Sequence, residues 1–134
     1  FDDLILDGDA YDFARIAGLA TLEQFALHWP ERKTDVEDHF LELLPAINAP
    51  ENPTLGQPLV NSYISFLASS LKMKRLHAAM QPLFAADKVG STFIGSWKEA
   101  EKEFKNENNQ AIKMPMYLDD LRSTYHEGLD WASV

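Results

Sequence analysis

The sequence predicts an all-α fold: a single compact bundle of five or six helices spanning 1–134, with a proline-rich connection near residues 48–58. Three observations carry this. Apolar residues recur at spacings of three and four through most of the chain, and one internal segment alone has any strand character. Two Ser/Thr-x-x-Glu signatures stand directly before apolar stripes. The 134 residues, 46% hydrophobic and 25% charged, suffice for one core without disulfides or metals.

The first element is read over 13–29, where Phe13, Ile16, Ala17 and Ala20, then Leu22, Phe25, Ala26 and Trp29, follow helical spacing. Pro30 supplies a stop, and Gly18 is placed to divide the stretch into two short helices. Next, Thr34-Asp35-Val36-Glu37 fits a capping box. In that motif the Thr34 hydroxyl accepts from the Glu37 amide and the Glu37 carboxylate reaches back to the Thr34 amide. The stripe Val36, Phe40, Leu43, Leu44 and Ile47 makes the following helix amphipathic.

The run 48–58 holds Pro50, Pro53 and Pro58 with Gly56 and cannot continue a helix, so it is expected to be a surface connection. Pro58 suits a first helical position, and Val60, Tyr63, Ile64, Leu67 and Leu71 then form a broad apolar face, which makes 58–80 the expected centre of the core. The stripe is interrupted at Lys72, Lys74 and Arg75, and a bend or break is expected between about Lys72 and Pro82. The segment 89–95, VGSTFIG, reads as a loop because two glycines in seven residues weaken a strand. Ser96-Trp97-Lys98-Glu99 is a second capping box, opening a largely solvated helix with the narrow apolar line Trp97, Ala100 and Phe104. The polar run 106–110 ends it. Pro115 opens a last helix with Tyr117, Leu118, Leu121 and Tyr125, and Gly128 suits its C-terminal cap.

Charge is the feature that folding alone does not explain. The formal net charge is −9, and residues 1–51 carry twelve acids against three bases, whereas residues 52–134 carry nine of each. Such a field opposes binding to nucleic acid and to anionic lipid. Zero cysteines exclude thiolate metal sites, disulfides and a cysteine nucleophile, and mildly favour a reducing, cytoplasmic setting. No apolar run approaches the length of a membrane span. The start at Phe1 rather than methionine suggests a piece excised from a longer chain.

Candidate chemistry is sparse. Leu4-Ile5-Leu6-Asp7-Gly8-Asp9 has the look of a strand end presenting carboxylates to magnesium, but no alternation of strands and helices follows to hold it, so a polar turn into a helix is the simpler reading. His28, His39, His77 and His126 are far apart and form no His-Glu-x-x-His or Glu-x-x-His motif; His39 with Asp35 or Glu42 supplies at most two ligands. Ser91 and Thr92 between Gly90 and Gly95 lack the lysine of a phosphate loop. The expectation is therefore no catalytic residue, no metal and no cofactor.

The residues left for binding are an acidic patch, Asp35, Glu37, Asp38 and Glu42, and a basic cluster, Lys72, Lys74 and Arg75. The cluster reads either as a phosphate contact or, more simply, as a helix shoulder pairing with the acidic half of this chain or of another copy. Trp29, Trp97, Trp131, Phe93 and Tyr125 read as packing residues, with Trp131 also suited to dock a partner. The function expected is a noncatalytic protein–protein interaction or assembly domain, with another protein, of basic character, or a second copy as partner. The rival is an acidic inhibitor of the immunity, antitoxin or DNA-mimic type, and behind it a helical metal-dependent hydrolase.

Overall fold

The computed structural model describes residues 12–49 and 57–114, together with Ile5. Among the described residues five α-helices form an all-α bundle: α1 (Asp12–His28), α2 (Lys33–Ile47), α3 (Gln57–Ser70), α4 (Lys74–Ala85) and α5 (Trp97–Lys105). No strand occurs among the described residues, and no helix there is long and apolar enough to cross a membrane. The expected helix from Pro115, most of the connection after Asn48, and the motif at Asp7 and Asp9 lie outside the described residues.

Helix α3 packs against α1, α4 and α5, while α2 closes the other side against α1 and α4. The central place given to this segment by its apolar face is what the structure shows. Val60, Ile64, Leu67 and Ala68 are fully buried, and Ser62, Ser65 and Ser69 are fully buried too. Small hydroxyl residues on the remaining faces let neighbouring backbones approach, so α3 is enclosed on more sides than its apolar stripe alone implies. Ser62 Oγ accepts from the Phe93 amide at 3.1 Å, tying the loop 89–95 to it.

Three expectations need correction, and one is narrowed. Helix α1 is continuous through Gly18, which is buried; packing outweighs the roughly 1 kcal/mol an interior glycine costs. The break expected between about Lys72 and Pro82 falls at the start of that range, at Lys72, whose φ is +57°, while Pro82 is accommodated in the last turn of α4 opposite the exposed Ala78. There the Met73 amide reaches back to the Ala68 carbonyl at 3.0 Å, the closure of a Schellman motif. The Thr34 capping box does not form, because α2 begins at Lys33 and has no side-chain cap. Finally, α5 is less solvated than expected: Ala100 is fully buried against the bundle and Trp97 and Phe104 are half-buried. The serine half of the second box forms: Ser96 caps α5 by accepting from the Glu99 amide at 3.4 Å. The segment 89–95 is an irregular loop, as its glycines indicate.

Candidate functional site

The acidic and basic groups singled out in the sequence meet one another. Glu37, nearly buried, turns away from its own helix end and caps α4. Its Oε2 accepts from the amides of Arg75 (3.1 Å) and Leu76 (3.2 Å). Its Oε1 accepts from Arg75 Nε (3.1 Å) and Nη2 (2.9 Å). Arg75 Nη2 also reaches Asp38 at 2.7 Å, and the two carboxylates, Asp38 first, raise the guanidinium above its ordinary pKa. The first turn of a helix needs acceptors for its free amides and favours negative charge, and α2 supplies both from 38 residues upstream.

Two more patch residues lie on the exposed side of α2. Asp35 pairs with Arg32 at 2.9 Å, and Glu42 lies 3.8 Å from His39. From the basic cluster, Lys72 has left the surface field as well. Its ammonium donates to the carbonyls of Glu103 (3.1 Å), Phe104 (2.9 Å) and Asn106 (2.7 Å), a side-chain cap on the C-terminus of α5. Lys74 is exposed. The cluster is thus divided among two helix ends and solvent, with no common face offered to phosphate.

The net charge has a corresponding distribution. Residues 12–49 and 57–114 contain eleven Lys and Arg against twelve Asp and Glu, so nearly all of the −9 belongs to positions outside them. Within the helical body the charges are close to balanced.

Three arrangements have the character of sites. The first is an aromatic sandwich. The His77 ring stacks on Trp97 (centroids 4.6 Å, 18°) and on Phe104 (4.3 Å, 4°), and its Nδ1 is buried with no hydrogen-bond partner. Burial pushes the imidazole below its ordinary pKa, Glu101 pulls it up and Lys105 pushes it down again. Neutral and enclosed, this ring is a packing element of α4 against α5.

The second is an open groove of about 540 Å³ between the end of α4, the loop 89–95 and the start of α5. Phe84 and Trp97 (centroids 5.5 Å, 58°), Val89, Asp87 and Glu99 line it. A second, more polar groove of about 420 Å³ lies across the same loop and shares Ser91 and Glu99 with it.

The third is the extended segment after α5. The Ala111 amide donates to the Ser70 carbonyl at 3.0 Å. Gln24 on α1 then holds the backbone like a strand partner, donating to the Ile112 carbonyl (3.1 Å) and accepting from the Met114 amide (2.9 Å). His28 Nε2 lies 2.7 Å from the Met114 carbonyl. On this fixed backbone the side chains of Ile112 and Met114 stay in water, at 78% and 56% exposure.

Nearby, burial pushes the Tyr63 phenol up to about 12, with the charge of Glu23 adding to it. Burial also raises the Glu23 carboxyl, against the hydrogen bond from Gln24. Among the described residues no group of three or more His, Asp or Glu is placed to hold a metal ion. His126, Tyr125 and Trp131 lie outside the described residues.

Neither the groove nor the pinned segment was singled out in the sequence, because each is assembled from pieces dozens of residues apart. The available signals were a tryptophan at the start of a short helix and the apolar pair Ile112 and Met114 in a polar stretch. Comparison with family models, with curated proteins and with solved structures finds no match.

Proposed function

We propose that this chain is a noncatalytic protein–protein interaction domain whose partner is a basic protein, and that it works in the cytoplasm, a setting its cysteine-free sequence suits. The observation that supports the reading is the segment 111–114. Its backbone is fixed by Gln24 and His28 while two large apolar side chains face solvent, which lowers the entropic cost of docking and leaves apolar area to bury. The acidic excess carried by the flanking positions then acts at long range, steering a basic partner toward this surface. The charged groups a catalytic reading would call on have internal duties instead: Glu37 and Lys72 hold helix ends.

The test is a pair of variants, Ile112→Asp and Met114→Asp, in the full chain. Both sites are exposed, so circular dichroism and Tm should hold while association with the captured partner weakens by about tenfold or more. Sedimentation velocity over a concentration series identifies the case in which the partner is a second copy. Unchanged association of both variants would sink the proposal.

A further inference from the structure

The groove between α4 and α5 sets two exposed carboxylates, those of Asp87 and Glu99, beside the partly buried rings of Phe84 and Trp97. Asp87 is placed against the helix dipole. Its φ is +58°, a left-handed position where glycine or asparagine is the easier choice, and it closes the C-terminus of α4, the negative end of the helix dipole. The closure is a complete Schellman motif, with the Asp87 amide on the Phe84 carbonyl (3.1 Å) and the Lys88 amide on the Leu83 carbonyl (2.9 Å), so the carboxylate itself contributes nothing to it. Glu99, on the facing helix, turns its carboxylate back over Gly95, where a Cβ would collide with it. Neither carboxylate forms an ion pair among the described residues, in contrast to those on α2, and no lysine or arginine lines the groove. Phe84 and Trp97 line the same groove, their ring centroids 5.5 Å apart.

Two carboxylates without a cation beside aromatic rings are complementary to a flat, delocalised positive charge. A guanidinium stacks on aromatic faces and forks onto carboxylate oxygens, whereas an ammonium is more tightly hydrated and offers no planar face. We infer that this groove receives an arginine side chain presented by the basic partner. The inference rests on the interaction reading above.

The test is a titration of the full chain, followed by amide and indole NMR, with the blocked tripeptide acetyl-Gly-Arg-Gly-amide and with its citrulline and lysine counterparts. Saturable shifts are expected at Gly95, Asp87 and the Trp97 indole with the arginine peptide, in the millimolar range. The double variant Asp87→Asn, Glu99→Gln should weaken them about fivefold or more while keeping the fold, since asparagine accepts the left-handed backbone more readily than aspartate. Citrulline, neutral and nearly isosteric, should leave these signals still. Absence of shifts at those three positions, equal shifts with citrulline or with lysine, or binding unaltered in the double variant would each overturn the assignment. Such a result leaves the interaction reading standing, because that reading falls only with the Ile112 and Met114 variants.

Discussion

Removing the Glu37 carboxylate is the perturbation that separates a structural from a recognition role for the acidic helix. In Glu37→Ala the amides of Arg75 and Leu76 lose their acceptor at 3.1 and 3.2 Å, and Leu76 is fully buried, so water does not readily replace it. A lost N-cap costs about 0.5–2 kcal/mol, and a buried donor left unsatisfied costs about 1–3 kcal/mol. Allowing for overlap between those two effects, the change should cost about 2–4 kcal/mol, a large part of the roughly 5–15 kcal/mol that a domain of this size has. Urea denaturation at pH 7 measures it, with a fall in Tm of about 10 °C as the accompanying sign. The ion pair contributes less than the cap, because Arg75 and Asp38 are each about half exposed, at 52%. Arg75→Ala and Asp38→Asn should therefore both be milder than Glu37→Ala. The reverse order, or a cost for Glu37→Ala below about 0.5 kcal/mol, would refute the argument that Glu37 belongs to α4 and not to the surface field.

Three further outcomes are expected. Lys72→Met removes an ammonium from three carbonyls and should cost about 1–3 kcal/mol by urea denaturation, whereas Lys72→Gly, which relieves the left-handed backbone, should cost less than the methionine variant. Burial holds the folded His77 pKa below that of the unfolded chain, about 6.5, so the unfolded state takes up the proton first. Stability should be fully present above that value, fall as pH drops through it toward the folded pKa, and level off below, and His77→Phe should flatten that slope in denaturation at pH 5 and 7.5. Leu67→Ala, at a fully buried site on α3, should cost about 2–5 kcal/mol, and Lys98→Ala on the open side of α5 less than about 0.5 kcal/mol, both read from chemical denaturation midpoints.

The helices were legible in the sequence wherever the decisive interaction is local. Ser96 caps α5 through an amide three residues on, and the stripe from Val60 to Leu67 decides its own burial. Reading failed where a side chain answers to a distant partner. Thr34 and Glu37 have the spacing of a capping box, but the carboxylate is taken by amides 38 and 39 residues away, and no rule of spacing says which of two helix starts a glutamate will serve. Lys72 and Arg75 look like one basic cluster because they are three residues apart, yet the turn at Lys72 sends one to α5 and the other to α2. The candidate groove was illegible for the same reason: Phe84, Asp87, Trp97 and Glu99 become neighbours only once α4 and α5 have packed.

The way α5 is attached has a bearing on how this molecule opens. It has nine residues, too few for a helix to persist alone in water, so it depends on its packing against α3, where Ala100 is fully buried, and on a few side-chain fasteners. Lys72 grips its last carbonyls, His77 fills the space between its two rings, and Ser69 Oγ donates to the Ala100 carbonyl at 3.4 Å. Fasteners that depend on one another's geometry release together, so amide hydrogens of 97–105 should exchange as one cooperative group, below the free energy of global unfolding. Because the floor of the groove is shared between α4 and α5, that partial opening abolishes the arginine site. A bound partner would then slow exchange throughout α5, including at amides it never touches.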